Sequence, residues 1–435
     1  MTKRLLVVVA ALAAVLGLTS TAAQAAPPPT PGNLTGFAFD ACQTPSQAAM
    51  DAWWQGSPFW GVGVYLGGEN RSACETETSA LTPTWVSTQL AHGWRLLPIW
   101  VGPQDACSTQ AFGTDIDKTT SNGVYAAAQQ QGRDAADAAA AAATSLGIPT
   151  GSTLFYDLED YALSDDDCRR SALSFLSAWT AEVHAQGFRS GVYSNVAAAI
   201  TSLDFADEAS HGSYAMPDQI WYALGNGKAD TAIDTKWVRS TSWTPHKRAH
   251  QFTLDVDRTY GGVTMRIDQS YVDLGTGSVA PAAASTCGVA VSFTSYPTLR
   301  RGATGSRVKA VQCLLRQQHY FTGSVSGRYD AATASAVKRV QAHLHVYASG
   351  TTGTRVWVAL LSAGSHPVLK RGSAAEPVRH LQRALNAAVG ANLPVTGVFS
   401  SATASAVTRY QQRLGQTATG VVTATTWAAL AAGRF

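Results

Sequence analysis

The sequence predicts an α/β chain: a closed (β/α)8 barrel of the TIM type, followed by two small all-α domains of three helices each. Three observations carry this. Between residues 33 and 274, short apolar runs alternate with helical stretches, the order that builds parallel β/α units. Residues 275–286 are mainly Gly, Thr, Ser, Ala and Pro, a composition that marks a domain boundary. Beyond it the chain repeats itself in a fixed register, the mark of a duplicated small unit.

Eight strand candidates lie in the larger part: Leu34–Asp40, Gly61–Leu66, Arg95–Val101, Thr153–Glu159, Phe188–Ser194, Gln219–Ala223, Ala249–Phe252 and Met265–Asp268. Helical stretches between them include Ser46–Gln55, Pro83–His92, Val124–Leu146 and Asp167–Gln186. The Asp165-Asp166-Asp167 run reads as a helix start, because acids favour a helix N-terminus. The alanine-rich stretch Ala135–Ala143 is a strong helix former. About 240 residues suit one barrel of eight β/α units. A doubly wound open sheet competes, but no glycine-rich phosphate loop follows the first strand.

The 435 residues carry a formal net charge of +3, 46% hydrophobic and 14% charged residues. That composition is globular, and the small excess of positive charge gives no footprint for nucleic acid. Lys3 and Arg4 precede an apolar run, Leu5 to Leu18, and Ala23-Gln24-Ala25 offers a small-x-small cleavage site. This is the layout of a secretory signal peptide. The run is short for a membrane span, there is no twin-arginine pair, and Cys42 lies too far on for a lipoprotein. The expected division is signal peptide 1–25, proline-rich spacer 26–32, barrel 33–274, linker 275–286, and repeats 287–363 and 364–435. A secreted or wall-associated monomer with no membrane attachment after cleavage is the reading.

Six cysteines, an even number, favour disulfides in an exported chain. Bridges kept within domains give Cys287–Cys313; among the other four, the expected pairs are Cys42–Cys74 and Cys107–Cys168. No C-x-x-C or H-E-x-x-H occurs, so neither a metal nor a cofactor is expected.

In the C-terminal part Leu299-Arg-Arg-Gly302 matches Leu369-Lys-Arg-Gly372, 70 residues on. The same offset pairs Val308 with Val378, Gln312 with Gln382, Ala332–Val337 with Ala402–Val407, Gln341 with Gln411, Gly350 with Gly420 and Trp357 with Trp427. Apolar residues at helical spacing predict three helices per copy; in the first copy the second spans Thr333–Leu344 and the third Thr354–Leu361. On the leucine-x-x-glycine opening, the V-x-x-x-Q and T-x-x-A-V-x-x-x-Q helices and the closing tryptophan, both copies resemble the three-helix peptidoglycan-binding domain. The resemblance implies a wall glycan as partner. Most of these residues are core and turn positions, and Tyr320, Tyr329 and Tyr347 are possible contacts that core packing would explain equally well.

Three apolar runs of the larger part end in acids: Gly36-Phe-Ala-Phe-Asp40, Leu154-Phe-Tyr-Asp157-Leu-Glu159 and Arg266-Ile-Asp268. Barrel chemistry sits at the C-terminal ends of the strands, and residues two apart on a strand face the same way, which puts Asp157 and Glu159 together. A pair of carboxyl groups flanking a sugar bond can supply an acid for the leaving oxygen and a base or charge stabiliser opposite. Crowding by Asp157, Asp40 and Asp268 is expected to raise the proton affinity of Glu159. Trp100, Tyr193, Trp221 and Tyr222 stand at or near strand ends, where flat rings can stack on sugar faces. His250 reads as a structural histidine.

On Gly36–Asp40, Gly61-Val-Gly-Val-Tyr-Leu-Gly-Gly68, Trp94–Gly102, Tyr156–Glu159, Gly191-Val-Tyr-Ser194, Tyr260-Gly-Gly-Val263 and Ile267-Asp268, residues 34–274 resemble domain of unknown function 1906. That family is a glycoside-hydrolase-like TIM barrel related to the lysozyme-type family 25 hydrolases. The resemblance implies Glu159 as proton donor, Asp157 as the group that orients or stabilises substrate, and Asp40 and Asp268 as the pocket floor. The expected function is cleavage of peptidoglycan-type amino-sugar chains without a cofactor. The alternatives are a barrel that grips glycan without cutting it, and a hydrolase of another exported glycan anchored by the repeats.

Overall fold

Eight strands close into a barrel in the computed structural model, which describes residues 27–71, 80–209, 212–284 and 287–435. The expected signal peptide, Cys74 and with it the expected Cys42–Cys74 bridge lie outside the described residues. The strands are β1 (Leu34–Asp40), β2 (Phe59–Gly67), β3 (Arg95–Trp100), β4 (Thr153–Asp157), β5 (Arg189–Asn195), β6 (Gln219–Ala223), β7 (Lys247–Tyr260) and β8 (Val263–Leu274). Helices α1 (Gln47–Gly56), α2 (Pro83–His92), α3 (Ala126–Ser145) and α4 (Asp166–Ala185) separate the first five strands, and a π-helical turn, Val196–Ile200, runs into α5 (Thr201–Ala209) before β6.

The barrel departs from eight parallel β/α units at its end. β1 to β7 are mutually parallel, but β8 is antiparallel to both β7 and β1. No helix joins β6 to β7 or β7 to β8. The second connection is a tight turn at Gly261 and Gly262, both with positive φ, a conformation glycine adopts freely. Residues 224–246 carry Gly, Asn, Asp, Ser, Thr and Pro without a helical apolar stripe, so they run as loop and turns.

Local signals place the helices. Ser46 and Thr82 cap α1 and α2, with Pro83 opening α2 and Gly93 closing it at positive φ. Asp165 caps α4, and Asp166 and Asp167 occupy its first turn, as the acidic run predicts. The alanines of α3 do more than favour a helix. Ala128, Ala135, Ala136, Ala139 and Ala143 are buried with Gly132, and a Cβ on Gly132 would lie 2.3 Å from the Phe175 carbonyl oxygen of α4. Small side chains let these two helices approach backbone to backbone.

Strand alternation sorts the barrel into two apolar sets. Ala38, Leu97, Ile99, Phe155, Trp221, Ala249 and Val272 pack in one cluster inside the barrel. Phe39, Val62, Leu96, Tyr156, Val192 and Tyr222 pack outward with the helices. Bulk inside is matched by missing bulk. The Trp221 indole reaches to where a Cβ on Gly63 would lie, 3.1 Å away, and Phe155 covers Gly191 at 2.4 Å. The end of the expected spacer is also part of the barrel base. Thr30 is buried, its hydroxyl bridges the Leu96 N–H and carbonyl, and its own carbonyl accepts from Thr153.

The repeats form three helices each: α6 (Ser306–Gln317), α7 (Ala331–His343) and α8 (Thr354–Leu361), then α9 (Glu376–Val389), α10 (Ser401–Arg413) and α11 (Ala424–Ala431). The repeated glutamines are clamps. Gln312 accepts from Gly327 N–H at 2.8 Å and donates to the Arg328 carbonyl at 2.9 Å; Gln382 does the same with Gly397 and Val398, both at 3.0 Å. Gln341 and Gln411 clamp Gly350 and Gly420 in the same way. Trp357 and Trp427 donate to Pro297 and Pro367. The sequence repeat therefore records turn-holding contacts. Tyr329 is one more core residue, bonded to Gly350 and Thr352, whereas Tyr347 is exposed. Disulfides join Cys107 to Cys168 and Cys287 to Cys313.

Candidate active site

Inward-facing residues of six strands meet at one mouth of the barrel. β1 contributes Asp40, β2 Tyr65, β4 Asp157, β5 Tyr193, β7 Gln251 and β8 Asp268, each in step with the interior residue two positions away. Asp268 gets there by an unexpected route. It sits inside β8, not at its end, and pairs in register with Asp40 because β8 runs the other way. A register shift in β7 puts Asp255 at positive φ, with its N–H donated to the Asp268 carboxylate.

One amide ties the group together. Gln251 Nε2 faces Asp268 at 3.1 Å and the two Asp40 oxygens at 3.3 and 3.4 Å, while its Oε1 accepts from the Tyr193 hydroxyl at 2.8 Å. A second amide sets the D-x-E segment. Gln104 donates to the Asp157 carbonyl at 2.7 Å and accepts from the Glu159 N–H at 2.8 Å. The Cys107–Cys168 bridge ties the loop bearing Gln104 to the start of α4. Arg71 lies over the Tyr65 ring at 4.0 Å. Asp40, Tyr65, Asp255, Arg266 and Asp268 line a cavity of about 290 Å³.

The four acids converge electrostatically. Burial holds the Asp40 carboxyl well above the usual carboxylate range, and the charge of Asp268 adds to it against the Gln251 hydrogen bond. Burial does the same to Asp157, helped by Glu159 and then Asp40 and opposed by Arg71. Glu159 is raised by burial, then by Asp160 and Asp268, so its main neighbours differ from the crowding the sequence suggests. Asp268 is raised by burial against the Asp255 N–H. Carboxyl groups so placed keep protons to higher pH than isolated ones. Among the described residues the buried Asp157 Oδ1 has no hydrogen-bond partner. Glu159 is only half-buried, beyond the strand end, which leaves it open to a ligand.

The four aromatic candidates separate by strand parity. Tyr193 and Trp221 face inward; Tyr193 holds Gln251, and Trp221 fills the floor with its Nε1 on Ser270 at 3.0 Å. Trp100 and Tyr222 face the helical layer instead. Tyr222 is buried, stacked on His250 and bonded to the Ala232 carbonyl. Both rings are buried in the layer between strands and helices and are not set among the acids, where the sequence suggests sugar platforms. His250 meets two backbone carbonyls, those of Asp230 and Leu224. Tyr65, Gln104, Gln251 and Asp255 were not among the expected site residues. As for metals, donor atoms of Asp105, Cys107 and Cys168 lie within 4.8 Å of one another, but the two sulfurs are bonded to each other and offer no thiolate.

An acid-lined barrel mouth joined to paired three-helix repeats defines the class of protein. The chain belongs to the Rv2525c-like, glycoside hydrolase-like domain family, whose model matches residues 51–272. Residues 304–360 and 374–430 each match the putative peptidoglycan binding domain. No curated protein matches. Among solved structures, an uncharacterized B. stearothermophilus protein is 19% identical over 55% of this chain and 95% of that one, with a TM-score of 0.36. The modular autolysin LytC from Streptococcus pneumoniae is 13% identical over 54% of this chain and 46% of that one, at 0.34. The same autolysin in complex with a synthetic peptidoglycan ligand is 11% identical over the same shares, at 0.32. No helix among the described residues is long and apolar enough to cross a membrane.

Proposed function

We propose that the chain is an exported glycoside hydrolase of the bacterial cell wall, acting on peptidoglycan-type amino-sugar chains. The observation that carries the reading is the convergence of Asp40, Asp157, Glu159 and Asp268 around Gln251, Tyr65 and Tyr193 at the open end of the barrel. Membership of a glycoside hydrolase-like family and the two peptidoglycan-binding matches support it.

Glu159 is the proton donor. Its raised proton affinity keeps it protonated further up the pH scale, and its place at the rim lets it reach a bridging oxygen. The C–O bond breaks as that oxygen takes the Glu159 proton, leaving positive charge at the anomeric carbon. Asp157, in the fraction of molecules where it has given up its proton, stabilises that charge. Where it does not attack, the substrate's N-acetyl oxygen forms the bond to the anomeric carbon, and the unpartnered Asp157 Oδ1 accepts the acetamido N–H. Water then delivers hydroxide to the anomeric carbon, breaking the bond that carbon made to the acetyl oxygen or to Asp157 and restoring that group, and returns a proton to Glu159. Asp40 and Asp268 hold the floor through Gln251. Export proceeds with cleavage before Ala26, and the repeats keep the barrel near its polymer.

The test is clearing of a suspension of purified cell walls. Wild type clears it; Glu159→Gln sediments with walls equally well and does not clear it. Equal behaviour of the two in both assays identifies a barrel that binds without cutting.

A further inference from the structure

The second repeat enters the barrel with a lysine. Its opening turn, Leu369 to Gly372, lies against the barrel end opposite the acidic mouth. Lys370 is 0% exposed. Its Nζ sits 4.2 Å from the Trp54 ring centre, 5.1 Å from Trp94 and 5.3 Å from Trp60, and donates to the Trp54 carbonyl at 3.2 Å. Trp54 lies in the last turn of α1, Trp60 is the second residue of β2 and Trp94 precedes β3, so the cage belongs to the rim where these strands start. Arg371 covers Tyr271 at 4.5 Å and Phe37 at 5.3 Å. The backbones touch as well: a Cβ on Gly372 would lie 2.2 Å from the Thr35 carbonyl oxygen, and one on Gly36 2.9 Å from that of Arg371.

No carboxylate pairs with Lys370 among the described residues. A lysine head taken wholly out of water, its proton affinity lowered by that burial, is held by three indole faces and one carbonyl, an arrangement that suits a compact amine better than a planar guanidinium. The first repeat makes the contrast. The same turn there reads Leu299-Arg300-Arg301-Gly302, and both arginines are exposed. The linker is held from both sides: Ser278 exchanges hydrogen bonds with Thr35 of β1, and Arg379 of α9 donates to Pro281. The first repeat is fastened to the second through Arg383 to Ser292 and Asn386 to Phe293.

We propose that the second repeat is a docking module whose Lys370 turn locks onto the tryptophan seat at the base of the barrel. Barrel and repeats then move as one rigid body, with the acidic mouth facing away from the repeats. Domains joined by a linker of this composition otherwise move independently. The consequence is a fixed reach: the repeats are held at the end of the barrel opposite the acidic mouth. The inference holds whether or not the barrel cuts glycan.

Two substitutions attack the lock from its two sides in the full secreted chain, Lys370→Glu from the repeat and Gly36→Leu from the barrel. Small-angle scattering and protease cutting between Gly275 and Ala284 are the readouts, with circular dichroism checking that each variant is folded. A compact wild type is expected, with a larger radius of gyration and linker cutting at least about tenfold faster in both variants, as local release predicts. A wild type as extended and as readily cut as the variants overturns the proposal. So do folded variants that stay as compact and protected as wild type.

Discussion

Replacing Asp157 with asparagine should stabilise the barrel while disabling its site. The Asp157 side chain is 5% exposed, and its Oδ1 meets no donor among the described residues. Burial and the charges of Glu159 and Asp40 hold its carboxyl well above the usual range. Between the ordinary carboxylate pKa and that raised value, the folded chain keeps a proton the unfolded chain has lost. Wild-type stability therefore falls as pH rises through this window. An amide of the same shape carries no charge to desolvate and forfeits few contacts. Asp157→Asn should gain about 1–2 kcal/mol at pH 7, within the range of stabilising replacements at functional sites. For a barrel of this size that is a Tm higher by about 3–6 °C. Calorimetry between pH 4 and pH 7 measures it. The difference should shrink toward pH 4, where both states of wild type become protonated. A variant less stable at pH 7, or a difference that ignores pH, would refute the argument that Asp157 is a strained, buried acid.

Gln104→Ala should leave the Glu159 N–H and the Asp157 carbonyl unpaired. That costs about 1–3 kcal/mol by denaturant unfolding, and it should lower the rate of wall clearing without weakening sedimentation with walls. Gln312→Ala should remove the clamp on Gly327, Arg328 and Thr333 and destabilise the first repeat by about 2 kcal/mol or more, read as increased amide exchange in α6 and α7.

Much of the barrel was legible because apolar runs bounded by turn residues name strands, and the first seven came out near their true places. Strand direction was not, since a period of two looks the same read either way. The Gly261-Gly262 pair was the visible sign of a hairpin. The arm around it, from Thr253 to Thr264, has no buried residue and so carries no apolar run. The acids were legible for the same reason that two of the aromatics were misplaced. Asp40, Asp157 and Tyr193 share inward parity with Ala38, Phe155 and Gly191. Adjacent Trp221 and Tyr222 cannot share a face, and Trp100 lies between inward Ile99 and Val101. The same parity would have marked Tyr65 and Gln251. Gln104 sits on a loop, where no periodicity speaks. The role of Lys370 was hidden because its turn matches a turn that stays free in the first repeat; only the tertiary contact distinguishes them.

The most direct test of the central claim is to incubate purified peptidoglycan with the purified protein and assay the sugar ends released, comparing wild type with Glu159→Gln at equal wall occupancy. New reducing amino-sugar ends from wild type alone are the result this account requires. Walls that bind both proteins and yield no new ends from either would contradict it.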